Sequence, residues 1–264
     1  MVTGRRMAEV VCPLSKIYSI RGHMEGISKG KLSTPLKAVI YGIAGVGKST
    51  LGASAPKPLI LDFEGSTGRL DVDRVDLRKE KFGTVMDWLR RLAKEEHDYQ
   101  TLVIDTIDWL EPKVWEATCA RLEVPSIETP GYGRGYVETS SQEWPQFLAG
   151  CTYLCDQRGM NVVLLAHCEQ KRIFDPMLTE YDRWDVKLHK RAAAKCVEWA
   201  ECVGFLILET MVRRQGQKEL LSTDGERVLL VNEGAHYVAK NRFGYNGNGI
   251  KPVSYDQLAK ELGL

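Results

Sequence analysis

Gly42-Ile43-Ala44-Gly45-Val46-Gly47-Lys48-Ser49 form an uninterrupted G-x-x-x-x-G-K-S string directly behind the apolar run Leu36-Lys37-Ala38-Val39-Ile40-Tyr41. Glycines at that spacing let a backbone wrap closely round phosphate oxygens, and its N–H groups then act as donors. Lys48 reaches the β- and γ-phosphates and the Ser49 hydroxyl holds Mg²⁺. The binding set expected is Gly42, Ala44, Gly45, Val46, Gly47, Lys48, Ser49 and Thr50. The ligands it implies are ATP and Mg²⁺.

Several further residues carry chemistry suited to such a ligand. Asp105 ends the apolar run Thr101-Leu102-Val103-Ile104 and is expected in the Mg²⁺ shell, with Asp108 as a competitor. Asp62 and Glu64 close Pro58-Leu59-Ile60-Leu61, and strand alternation puts both on one side. Glu64, farther out beside Gly65, is the favoured acid for deprotonating an attacking water. His167 ends Asn161-Val162-Val163-Leu164-Leu165-Ala166, where a neutral imidazole can sense a γ-phosphate by a hydrogen bond; the alternative is a satisfied surface group. Lys240 and Arg242 lie two apart on an extended chain and point the same way. They either reach the γ-phosphate on a neighbouring subunit, as finger arginines do, or form a basic edge that blocks strand pairing.

These residues must be positioned by a sheet. Short apolar runs bounded by Pro and Gly predict buried parallel strands at 36–41, 58–62, 101–105, 161–167 and 202–209. Helices are expected at 48–54, 83–97, 109–122, 141–158 and 187–200. Residues 218–221 and 228–231 read as a hairpin turning at Thr223-Asp224-Gly225-Glu226, and 236–240 as one more strand. Residues 124–139 and 169–185 read as a glycine-rich loop and a polar stretch. Alternating strands and helices predict an α/β fold, mostly parallel, with antiparallel strands at one edge. Ligands then gather at the carboxyl ends of the strands.

Composition bounds the remainder. The 264 residues, 44% hydrophobic, suffice for one substantial core, and a net charge of +1 gives no global footprint for nucleic acid. Residues 1–35, with Arg5, Arg6, Lys16, Arg21, Lys29 and Lys31, read as a basic extension before a domain at 36–264. Seven cysteines without a C-x-x-C pair suggest free thiols. No apolar run approaches a membrane span, which leads to the expectation of an intracellular, cytoplasmic protein.

Taken in order, Gly42 to Ser49, Glu64, Asp105, His167 and Lys240-x-Arg242 resemble the RecA-like P-loop ATPase core. More narrowly, 36–50, 101–107, Gly131-Tyr132-Gly133-Arg134-Gly135-Tyr136 and Leu164-Leu165-Ala166-His167 resemble a group of bacteriophage RecA-like proteins, some of them single-strand annealing proteins or recombinases. The resemblance implies Glu64 as water-activating acid, Asp105 as Mg²⁺-shell acid, His167 as sensor, and Lys240 with Arg242 presented to a neighbouring protomer. It implies a homo-oligomer, filament or ring, with nucleotide between protomers, and a single-strand-binding protein as a further partner. It also implies two DNA loops, which position assigns to 130–136 and 169–185. Tyr132, Arg134 and Tyr136 would offer stacking faces and a cation, while Lys171 and Arg172 would offer phosphate contacts. Asp175, Glu180, Asp182 and Asp185 oppose the second assignment. His stands where classical recombinases commonly carry Gln. The function expected is DNA-dependent ATP hydrolysis supporting annealing or homologous recombination. Its rivals are a nucleotide-gated loader or partner-binding module with little hydrolysis, and a small-molecule kinase.

Overall fold

The computed structural model describes residues 30, 34–174, 179–215 and 218–264. The expected basic extension at 1–35 lies almost wholly outside them. Thr34–Leu264 forms one compact unit. Its strands are β1 (Lys37–Gly42), β2 (Pro58–Asp62), β3 (Asp73–Asp76), β4 (Thr101–Asp105), β5 (Asn161–Ile173), β6 (Tyr181–Val186), β7 (Cys202–Gln215), β8 (Lys218–Leu230) and β9 (Lys240–Asn241). Its helices are α1 (Lys48–Ala53), α2 (Phe82–Lys94), α3 (Ile107–Leu122), α4 (Arg134–Ser141), α5 (Glu143–Arg158), α6 (Lys190–Trp199) and α7 (Tyr255–Leu262).

The sheet runs β3-β2-β4-β5-β1-β7-β8, with β6 on β5 and β9 on β7. Its central strands are parallel, while β8, β6 and β9 pair antiparallel. This is the mostly parallel α/β sheet expected, with antiparallel strands at its edge and β5 inserted between the strand of the phosphate loop and the strand of Asp105. Alternation feeds two cores. Val39, Tyr41, Leu102 and Ile104 pack with Trp144, Phe147, Val85 and Ala192 on the face covered by α2, α3, α5 and α6. Ala38, Ile40 and Val103 pack with Leu51, Tyr255, Leu258 and Leu262 of α1 and α7 on the other. Burial of both faces is what makes these strands read as unbroken apolar runs.

Four expectations need correction. The 169–185 stretch is not a loop: β5 runs on to Ile173 and folds back as β6, with Cys168 opposite Val186 and Ile173 opposite Tyr181. Its pairing rests on cross-strand charges, Arg172 with Glu180 and Asp182 at 3.3 Å each, which leave no apolar alternation to read. Likewise 218–230 is one strand. Leu208 faces Arg227 and Thr210 faces Thr223, so Asp224-Gly225-Glu226 are accommodated opposite a single residue. Gly225, at φ +79, makes a bulge out of residues whose types suggested a turn. Within 124–139, α4 begins at Arg134 behind left-handed Gly133. The strand expected at 236–240 is confined to Lys240–Asn241.

Candidate functional site

The phosphate loop leaves β1 at Gly42, where a Cβ would lie 2.4 Å from the Leu206 carbonyl oxygen of β7, so only glycine permits this strand spacing. Gly47 has φ +106, and a Cβ there would fall 2.9 Å from Arg227 Nε. Lys48 opens α1 and is 5% exposed. Its ammonium folds back on the loop, donating to the carbonyls of Gly42 (3.2 Å) and Ile43 (2.9 Å). Burial lowers its pKa, against the pull of Glu64, Asp105 and Asp108. Gly45, Gly47, Lys48, Ser49, Thr50, Glu64, Ser66, Arg69, Leu70 and His167 together line a cavity of about 220 Å³ at the carboxyl ends of the central strands.

The two acids after β2 separate cleanly. Asp62 is consumed by its own turn, Oδ1 accepting from the Glu64 (3.0 Å) and Gly65 (2.6 Å) amides and Oδ2 from the Thr67 amide (3.3 Å) and hydroxyl (2.5 Å). That turn leads into a 3-10 segment, Ser66–Arg69, and leaves Glu64 facing the cavity. Asp105 is fully buried, and burial raises its pKa against hydrogen bonds that lower it. Its Oδ2 accepts from Ser66 Oγ at 3.1 Å, Ser66 Oγ lies 3.3 Å from Ser49 Oγ, and Asp105 Oδ1 has no partner. A buried, unsatisfied carboxylate oxygen beside the loop serine is a donor set that fits Mg²⁺, which takes one or two protein oxygens and keeps its other ligands as water and phosphate. Ser49 and Asp105 are the residues that would hold it. No cluster of three His, Cys, Asp or Glu suited to a metal occurs among the described residues.

His167 is gripped from one side and open on the other. Its backbone N–H donates to Asp108 Oδ1 at 3.0 Å and its Nδ1 lies 2.8 Å from Asp108 Oδ2, while Nε2 sits 3.7 Å from Glu64 Oε1. Asp108 occupies the first turn of α3 and is withdrawn from the metal role. Burial pushes its carboxyl up, but the ring and backbone hydrogen bonds of His167 outweigh this and hold it below the ordinary range. With Nδ1–H directed at Asp108, a neutral ring presents only a lone pair at Nε2.

The remaining candidates are not at the cavity. Lys240 lies at the amino-terminal end of β7, opposite Val203, and its ammonium donates to the carbonyls of Val197 (2.8 Å) and Glu198 (2.9 Å) at the end of α6. Arg242 is exposed, with no side-chain partner among the described residues. Tyr136 is locked rather than free: its hydroxyl donates to Glu128 and its ring stacks on His189 at 4.1 Å. Tyr132 is fully exposed and Arg134 exposed. Lys171 pairs with Glu169 (3.0 Å) and Asp185 (3.7 Å), so Lys171 and Arg172 are both already paired with acids. Sequence reasoning missed Ser66, Arg69 and Arg227; none carries a local signal, since long-range strand pairing brings Arg227 to the loop.

No curated protein matches the chain. Among solved structures, a similar one is the crystal structure of the RadB recombinase, 13% identical with a TM-score of 0.41, covering 76% of this chain and 90% of that one. The sequence model of the AAA domain matches residues 34–243. The chain belongs to the AAA domain family and is a P-loop ATPase.

Proposed function

We propose that this chain hydrolyses ATP with Mg²⁺ as an oligomer that binds single-stranded DNA and serves annealing or homologous recombination. The observation that carries the catalytic half is the convergence of Lys48, Ser49, Glu64 and His167 on one cavity, with the unsatisfied Oδ1 of Asp105 behind it. In that geometry Lys48 turns from the Gly42 and Ile43 carbonyls to the phosphates, and Glu64 takes a proton from the attacking water. Mg²⁺ bound by Ser49 and Asp105 would neutralise charge between the phosphates.

The DNA and assembly half rests on surface features. Tyr132 offers a fully exposed ring and Arg134 an exposed cation with no ion pair among the described residues. Arg242 lies at the far end of the sheet from its own cavity, so a γ-phosphate it reached would be one bound by a neighbouring copy. ATP turnover with and without a single-stranded oligonucleotide, over a range of protein concentration, tests the whole reading. The rate should rise with DNA and climb faster than linearly with protein, and Lys48→Ala should abolish nucleotide binding. A rate indifferent to DNA and strictly linear in protein would replace it with a nucleotide-gated partner module.

A further inference from the structure

We infer that His167, with Asp108 behind it, is the second proton carrier of the hydrolysis: the proton that Glu64 takes from water passes on to His167 Nε2. The inference rests on the reading of Glu64 as water-activating acid. It starts from an asymmetry in how the ring is held. Asp108 binds both the backbone N–H (3.0 Å) and Nδ1 (2.8 Å), so the ring is fixed in position and in tautomer, and Nε2 lies 3.7 Å from Glu64 Oε1. The Asp108 side chain is 5% exposed and that of His167 is 14% exposed. An anion so sheltered stabilises an imidazolium at short range, which is the logic of a carboxylate-oriented histidine base.

In the step, the water oxygen bonds to the γ-phosphorus and its proton moves to a Glu64 carboxylate oxygen. The bond from γ-phosphorus to the bridging β–γ oxygen breaks, and its electron pair stays on the departing diphosphate. The Glu64 proton then moves to Nε2, restoring the Glu64 anion and leaving an imidazolium between two carboxylates, and departs to the released phosphate or to solvent. An amide in place of His167 could make a hydrogen bond but could not take the proton.

The elements packed against β5 carry further charged and titratable groups. Asp108 and, one turn on, Glu111 belong to α3, Glu64 follows β2, and Lys48 and Asp105 lie on α1 and β4. Cys168 and Glu169 continue β5, and the Lys187 amide donates to the His167 carbonyl at 2.9 Å.

The test is kcat and KM for ATP in the parent protein, His167→Gln, His167→Ala and Asp108→Asn, with folding checked by thermal denaturation. His167→Gln should keep KM within about threefold and lose about 10²-fold to 10⁴-fold in kcat, the scale of a lost general acid or base. Asp108→Asn should lower kcat while KM stays within about threefold and the thermal midpoint holds. His167→Gln turning over like the parent would overturn the relay and return His167 to hydrogen-bonding alone. Asp108→Asn that lowers thermal stability with kcat unchanged would reduce Asp108 to a structural support. Glu64→Gln with undiminished turnover would instead sink the underlying assignment of the base.

Discussion

Arg227 Nε donates to the Val46 carbonyl at 2.7 Å, tying β8 to the phosphate loop across 181 residues of chain. The guanidinium fits because Gly47 has no side chain. The loop is therefore held from one flank by β8 while β5 brings His167 to the other.

Removing that tie should loosen the loop without touching the reacting atoms. A hydrogen bond from a charged donor contributes about 1.5 to 3 kcal/mol, so Arg227→Ala should weaken diphosphate and triphosphate binding by about tenfold or more. Arg227→Lys should recover part of the loss. Titration with a fluorescent ADP analogue measures it, and an unchanged affinity would show the contact to be incidental.

Asp62 and Glu64 should divide folding from chemistry. Asp62 is 4% exposed and satisfies four donors of its turn. Asp62→Ala leaves those donors unmet and should cost about 2 to 3 kcal/mol in urea denaturation. Glu64→Gln should leave the denaturation midpoint in place and remove most of the turnover. Equal loss of stability in both variants would show that Glu64 too is structural.

What the residue types alone reveal, and what they hide, follows one physical division. β2 and β4 carry the boundaries expected, since buried parallel strands are apolar on both faces. The loop, Glu64, Asp105 and His167 were legible because each ends such a run. Asp108 reads as a spare metal ligand until β5 lies alongside α3, and Lys240 as a free finger until its ammonium is found against α6. The β5–β6 hairpin packs Cys168, Trp184 and Val186 against the core but is otherwise mostly charged and polar, so periodicity gave little sign of it. β3 was missed for the same reason, three of its four residues being charged.

Glu111 should make stability depend on pH. Burial raises its carboxyl from 4.5 to about 7, against the hydrogen bonds of the His189 amide. Between those values the folded protein keeps a proton that the unfolded chain releases, so this stabilisation is complete below 4.5 and is lost as pH rises to 7. The full span corresponds to about 3 kcal/mol. Glu111→Gln should match the parent near pH 4.5 and exceed it in stability by up to that amount at pH 8. Parallel stability profiles for the two proteins, read by urea denaturation, would assign the pH dependence elsewhere.

DNA contacts should follow free charge rather than loop position. Lys171 and Arg172 are paired with acids in the hairpin, so Lys171→Ala with Arg172→Ala should leave oligonucleotide affinity and its salt dependence nearly unchanged. Arg134, Lys190 and Arg191 are exposed and have no ion pair among the described residues. They gather where Tyr136 of α4 stacks on His189, the residue that caps α6. Each phosphate contact on a single strand contributes about 0.7 to the slope of log affinity against log salt, so removing all three cations should flatten it by about 2. Tyr132→Ala should weaken binding at every salt concentration by a similar factor, because stacking releases no counterions. Anisotropy titrations of a labelled oligonucleotide from low to physiological salt distinguish these outcomes. A flattened slope in the hairpin variant alone would put the strand back on β5 and β6.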